Sequence, residues 1–510
     1  MEDTTEHVLT DSSASSSGTA TRNGSVVLAL VKTLCRALED ERIVYCHWKS
    51  NEALDRSASG DNDLDLLVRR ADFGRFIALL YRLGFKEARP PSVRELPGVL
   101  HYYGLDVPSG RLVHVHTQAQ LLLGDDTTKN YRLPMEEAYL ASSTQGQVFA
   151  TPDPAYELAV FVVRMVLKHA TWDAICYGKG RLGTTERREL AWLRERADPA
   201  EVARIARDHM PYIDQTLWGD CVRTLDADAS ARLRIDTARR LRAVLAGHAR
   251  YSTAQDTCLR VWRRASWGTR RYVFRQRTRK KLIGGGAIVG LVGGDGAGKS
   301  SAVSALRASL SRTFVTTQVH LGKPRRSMTT LAVKGSMYVG RRFGMFPSTR
   351  TPAWATADGA HPEPTYAWLL WHVLNARDRH REYTRARRFA GNGGLVICDR
   401  YPLSELAYMD GARTRGIEDP GRLPRPARML VDLERRYYER ITYPDALVVL
   451  RLDPEIAVSR RHDEEEEFVR RRNQEVWERD WSATPALVVD AAKPQDEVLE
   501  DILSHVWARL

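Results

Sequence analysis

The chain has 510 residues, with 77 Lys and Arg against 64 Asp and Glu, for a formal net charge of +13. That length exceeds one ordinary hydrophobic core, so several domains are expected. Hydrophobic residues at 43% and charged residues at 28% exclude a fibrous or wholly disordered chain. No run of apolar residues is long enough for a membrane-spanning helix. Six scattered cysteines without a CxxC pair exclude a zinc module and fit a reducing, cytoplasmic setting. The basic surplus favours anionic partners: nucleotides, nucleic acid, sugar phosphates or an acidic membrane face.

Residues 1–25 are polar with acids first, neither signal nor transit peptide, and read as a disordered lead. Val27, Leu30, Val31, Leu34 and Leu38 recur at helical spacing. A short strand at Ile43–Tyr45 precedes His47-Trp48-Lys49-Ser50, and Asp63-Leu-Asp65-Leu-Leu-Val68 follows a loop. A helix over Asp72–Leu83 ends at Gly84, and Arg111–His116 alternates as a half-buried strand. Residues 26–150 thus read as an α/β domain. Residues 151–255, mostly helical with Asp-Pro starts at Asp153 and Asp198, read as its extension.

The segment 256–286 reads as a basic linker. Arg260 to Lys281 holds ten Arg or Lys and no acid, with Trp262, Trp267, Tyr272 and Phe274 interleaved, before Gly284-Gly285-Gly286. Either it binds phosphates, nucleic acid or an anionic membrane, or it is a basic interdomain helix whose aromatics pack on a neighbour.

From Ala287 onward strands alternate with helices, which implies a parallel sheet covered on both faces. The apolar run Ile288–Val292 leads into Gly293-Gly294-Asp295-Gly296-Ala297-Gly298-Lys299-Ser300, then a helix from Ser301. This is GxxxxGK[ST] in its strand–loop–helix setting. Glycines let several backbone N–H groups converge on phosphate oxygens, and the helix N-terminus adds partial positive charge. In that chemistry Lys299 reaches the β- and γ-phosphates of ATP and the Ser300 hydroxyl ligates Mg²⁺.

The stretch Gly293 to Ser301 resembles the phosphate loop of thymidylate kinases and their relatives. The likeness continues in Arg377-Asp378-Arg379, in Gly394–Cys398 followed by Asp399-Arg400-Tyr401, and in Ser404, Ala407 and Tyr408. It extends to Asp445–Pro454 and to Val488-Val489-Asp490-Ala491 with the helix after it, covering roughly 287–510. The resemblance implies a P-loop parallel sheet with helices on both faces. It places Asp399 near the metal and phosphates and puts Arg400, Arg379 and Tyr408 at the acceptor. A guanidinium fork suits a phosphate dianion. It also implies a lid after Pro454 carrying Arg470 and Arg471 to the transferring group; the same residues also read as a solvated helix of i,i+4 ion pairs. Two departures stand out: His320-Leu-Gly-Lys-Pro324 replaces the family's Arg-Glu-Pro-Gly-Gly, and Met409 stands where a glutamine reads the pyrimidine. A thioether cannot make that directional pair of hydrogen bonds.

In the first half, Lys49-Ser50 and Asp63-Leu-Asp65 resemble the nucleotidyltransferase signature. Carboxylates at i and i+2 share one face of a strand, so Asp63 and Asp65 could both ligate Mg²⁺. The expected glycine is Lys49, and the strand that would supply a third carboxylate reads Val113-His114-Val115-His116. The domain is therefore either a working transferase or a degenerate, recognition form.

The leading expectation is an ATP- and Mg²⁺-dependent phosphotransferase acting on a nucleoside monophosphate or related small metabolite, with a homodimer left open. The alternative is a nucleotide-gated binding or regulatory protein that uses its basic segment on nucleic acid or a membrane.

Overall fold

The computed structural model describes residues 26–169, 180–273, 279–342, 364–406, 411–417, 419–461 and 465–510. The first half is built on a mixed sheet of strands β1 (Tyr45–His47), β2 (Leu64–Val68), β3 (Lys86–Arg89), β4 (Val99–Asp106) and β5 (Arg111–Gln118). Two short ribbons follow, β6 (Leu121–Leu123) with β7 (Tyr131–Leu133) and β8 (Thr144–Gln145) with β9 (Ala150–Thr151). The main sheet runs β1-β2-β5-β4-β3 and is completed at its edge by β10 (Lys281–Leu282), which comes from the segment read as a linker.

Alternation in β2 sets its two faces. Leu64, Leu66 and Val68 join Val113, Val115 and Phe76 in a core under the helices Ala29–Asp40 and Phe73–Arg82. On the other face Leu67 packs into the helical extension, while Asp63 and Asp65 stay at the polar end of the strand. The extension surrounds the helix Pro154–His169, which is apolar on nearly all sides and correspondingly buried.

The second half is a sheet of five parallel strands: β11 (Ile288–Gly293), β12 (Thr316–His320), β13 (Leu395–Asp399), β14 (Ala446–Arg451) and β15 (Ala486–Asp490), in the order β12-β13-β11-β14-β15. Strands of a fully covered parallel sheet read as continuous apolar runs, and β11, β13 and β14 do. The helices Lys299–Leu310 and Gln495–Arg509 cover one face. Helix Tyr366–Gly391 covers the other through Tyr383, Ala386 and Ala390. Among the described residues no helix is long and apolar enough to cross a membrane.

The halves share structure at β10. Leu282 pairs with Ala88 of β3, and its N–H donates to Gly393 O at 3.0 Å. Just before it, Lys280 N–H donates to Thr313 O and Lys280 O accepts from Val315 N–H, both at 2.9 Å. Ala88, Tyr103 and Leu105 of the first sheet lie in one apolar core with Phe314 and Trp507 of the second half. The Trp507 indole N–H closes the contact on Gly84 O at 3.0 Å. Gly286 is needed for close approach rather than as a flexible break: a Cβ there would sit 1.8 Å from Gly394 O.

The basic segment is largely helical, from Thr253 to Gly268, followed by a π turn over Thr269–Val273; Phe274 lies outside the described residues. Ser252 and Gln255 form its capping box.

Candidate nucleotide-binding site

The glycine loop connects the central strand β11 to the helix Lys299–Leu310 at the carboxyl end of the sheet, where open parallel sheets bind ligands. Gly296 and Gly298 take φ of +81° and +77°, the left-handed region, and Gly298 is the N-cap of the helix. A side chain at Gly294 would collide with Asn473, its Cβ falling 2.0 Å from Asn473 Oδ1.

Lys299 is buried at the first position of the helix, and its Nζ donates to Gly294 O at 2.5 Å. Burial pushes its pKa down to about 8, with Arg400 and Arg472 acting in the same direction and Asp295 and Asp399 opposing them. Ser300 and Ser301 are exposed on the same first turn, and Ala297 packs into the core beneath the loop. At the end of the neighbouring strand β13, Asp399 is buried, and its Oδ1 has no hydrogen-bond partner. Arg400 follows in a left-handed conformation, φ 55°. Backbone strain of this kind in a non-glycine residue concentrates at functional sites.

Asp295 organises the basic groups. Its Oδ1 accepts from Arg400 at 3.3 Å and its Oδ2 from Arg472 at 2.7 Å. Its backbone O accepts from Asn473 Nδ2 at 3.0 Å. Burial alone would raise the Asp295 carboxyl, but the Arg472 hydrogen bond and the charges of Lys299, Arg472 and Arg400 hold it below the usual carboxylate range.

The helix Glu466–Glu478 carries the arginine run. Val469, Asn473 and Val476 face inward, which turns Arg472 and Asn473 toward the glycine loop. Arg470 instead pairs with Glu455 at 2.8 Å and Arg471 with Glu467 at 2.7 Å, on the solvent side. The sequence shows Arg472 only as one member of the arginine run 470–472, behind Arg470 and Arg471, and Asn473 was not singled out at all. The spacing of Val469 and Val476 holds the signal, because residues 472 and 473 lie between them on the same side of the helix.

Arg379 is buried and donates to Leu321 O at 2.6 Å, to Gly322 O at 3.1 Å and to the Tyr438 hydroxyl. These bonds hold the chain just after β12, the place where the sequence departs from the thymidylate kinase pattern. Tyr408, with Ala407, Met409 and Asp410, lies outside the described residues.

In the first half, Asp63, just before β2, and Asp65, within it, reach toward β5, and parallel register sets Asp65 beside His116. His114 Nδ1 is 2.6 Å from Asp63 Oδ1 and His116 Nδ1 is 2.5 Å from Asp65 Oδ1. Lys49 Nζ lies 3.0 Å from the same Asp65 oxygen. Burial would raise the Asp65 carboxyl, but Lys49 and His116 carry it far below its ordinary value. Burial lowers the His114 pKa, and Asp63 only partly offsets this, so its imidazole is neutral at pH 7. Ser50, in a left-handed conformation, donates its N–H to Glu189 Oε1 at 3.0 Å. Among the described residues, no group of three or more His, Cys, Asp or Glu is arranged to hold a metal ion.

The parallel sheet, the strand–glycine loop–helix and the buried Lys299 define a P-loop nucleotide-binding fold. No family model matches the chain. It is similar to an uncharacterized ATP-binding protein, YghR, of Escherichia coli, 27% identical over 221 residues, which is 42% of this chain and 84% of that protein. It is also similar to a thymidylate kinase of Halalkalibacterium halodurans, 27% identical over 237 residues, 44% of this chain and 98% of that enzyme. Both likenesses point to a P-loop, kinase-like region.

Proposed function

We propose that the second half is an ATP- and Mg²⁺-dependent phosphotransferase that passes the γ-phosphoryl group of ATP to a small acceptor, a nucleoside monophosphate or a related metabolite. The observation that carries this reading is the convergence on one loop of three cations: Arg400 and Arg472, both held by the Asp295 carboxylate, and Lys299, which donates to Gly294 O. Phosphoryl transfer depends on positioning and charge neutralisation more than on covalent catalysis. Loop amides and Lys299 would hold the β- and γ-phosphates, and Arg400 the acceptor's anion. Arg472 would leave Asp295 for the charge that spreads over the transferring oxygens. In this reading Arg472, rather than Arg470 or Arg471, is the lid arginine that reaches the reaction.

The residues present fit a divalent cation. A buried carboxylate oxygen without a hydrogen-bond partner is costly unless a ligand completes it, and Asp399 Oδ1 is such an atom. Ser300 offers a hydroxyl on the adjoining helical turn. Asp399 and Ser300 would hold Mg²⁺, which when bound would supply charge neutralisation at the phosphates.

For the first half the proposal is recognition rather than transfer, because both β2 carboxylates are already engaged by histidines and one also by Lys49. The test is a screen of nucleoside monophosphates and sugar phosphates with labelled ATP and the purified full chain. Phosphorylated product from the wild type and none from K299A is expected. Equal turnover by K299A would reject the assignment.

A further inference from the structure

The helix Thr253–Gly268 has the opposite polarity to an ordinary solvated helix. Its charged groups face the protein. Arg260 is buried against Asp256 at 3.2 Å, Arg263 donates to Thr127 O at 2.5 Å, and Arg264 pairs with Asp125. Trp267 is stacked between Arg94, 4.7 Å from its ring centroid, and Arg271, at 5.0 Å. Its apolar groups face outward instead: Val261 is 51% exposed and Trp262 57%, and in the following π turn Tyr272 is 73% and Val273 70% exposed. Exposed Cys258, Val261, Trp262 and Ala265 recur at three- and four-residue spacing, and Tyr272 and Val273 follow seven and eight residues after Ala265. Arg270 and Arg271 are exposed beside them, and no acidic residue occurs between Asp256 and Asp295.

We propose that this face docks on an anionic phospholipid surface. Trp and Tyr are the side chains that favour the boundary between headgroups and acyl chains, and guanidiniums at the same level pair with lipid phosphates. The stretch between Asp256 and Asp295 adds no acid of its own, and Asp256 and Asp125 are taken up by Arg260 and Arg264, so Arg270 and Arg271 are left to attract anionic headgroups. Nucleic acid fits less well, because it needs cations turned outward, and Arg260, Arg263 and Arg264 are turned in. A second copy of the chain would bring a like-charged, acid-free segment to the contact, with no carboxylate to pair with Arg270 or Arg271. The inference is independent of the phosphotransfer reading, since none of these residues belongs to the glycine-loop site.

The test is cosedimentation of the full-length protein with vesicles of phosphatidylcholine alone or with about one-quarter phosphatidylglycerol. Binding to the anionic vesicles, little binding to the neutral ones and a fall with added salt are expected. W262A/Y272A should reduce partitioning by roughly tenfold and R270Q/R271Q by several-fold, with circular dichroism and ATP affinity unchanged. Should the double aromatic variant misfold, W262S and R270Q/R271Q separately carry the same expectation. Three results would overturn the proposal: no sedimentation with anionic vesicles, undiminished binding by the aromatic and arginine variants, or a lipid-free dimer that W262A/Y272A abolishes while vesicles leave the wild type in solution.

Discussion

Arg472 Nη1 lies 2.7 Å from Asp295 Oδ2, so a residue of the helix Glu466–Glu478 and the third residue of the glycine loop form a partly buried, charge-assisted pair. This contact ties the helix to the loop and stores a cation beside the place where phosphates are expected. Exchange of one anion for another at Arg472 would then couple nucleotide binding to the position of the helix.

R472A is expected to lower kcat for phosphoryl transfer by on the order of a hundredfold with a smaller change in KM for ATP, as loss of a group that acts mainly on the transition state does. R470A and R471A, whose ion pairs are on the solvent side, should stay within a few-fold of wild type. Steady-state kinetics of the three variants separates them. Equal losses would mean that the run acts as a diffuse charge and not through Arg472.

ATP affinity should break near pH 8. Lys299 in the free protein has its pKa pushed down to about 8 by burial, so it is charged below that pH and neutral above it. A bound phosphate favours the charged form. The dissociation constant should therefore be flat below pH 8 and weaken by up to about tenfold per pH unit above it, with proton uptake on binding. Calorimetry across pH 6.5 to 9.5 measures both; K299M should show no such break.

Glu157 governs a stability effect in the opposite part of the chain. Burial raises its pKa to about 8, while Asn51 donates to it at 2.8 Å. The folded state then keeps a proton that the unfolded chain releases above its ordinary carboxyl pKa. Stability is fully present below that ordinary value and is lost as pH rises toward 8. E157Q, which can still accept from Asn51, should melt higher than wild type at pH 7.5 and match it near pH 4.5. Thermal unfolding at the two pH values is the measurement.

G294A should abolish nucleotide binding or nearly so, because its Cβ would fall 2.0 Å from Asn473 Oδ1 and displace the loop or the helix. G294A/N473G removes the obstacle and should recover part of the affinity. A double-mutant cycle with ATP binding as the readout checks the coupling. Strict additivity would show that the two positions do not meet.

The strand, glycine loop and helix around Lys299 were legible in the sequence because their signal is local: one apolar run, glycines at fixed offsets, one lysine. The parallel sheet followed from the alternation of strands and helices. What remained hidden depends on orientation and on register. Arg470, Arg471 and Arg472 look equivalent in a row, and only the inward turn set by Val469 and Val476 separates Arg472 from its neighbours. Asp63 and Asp65 were visible as a pair on one strand face. The strand Val113–His116 was legible as their neighbour, but that Asp63 meets His114 and Asp65 meets His116 depends on the register of β2 with β5, which no spacing along the chain specifies. Arg379 was expected at the acceptor, and its hydrogen bonds to Leu321, Gly322 and Tyr438 depend on three segments meeting. The basic segment was read by its charges, yet its long-range contacts with Asp125 and Thr127 decide which side faces out.

The strand Lys281–Leu282 has a practical consequence for anyone dividing this molecule. Cutting at the glycine tract would separate a first fragment that keeps its edge strand but loses the apolar cover supplied by Phe314 and Trp507. Cutting ahead of Lys280 would instead leave β3 as a raw edge with unpaired amides and carbonyls, an invitation to pair with other chains. Neither half is expected to behave well alone, and assays on isolated pieces would report the damage at the seam before they reported chemistry.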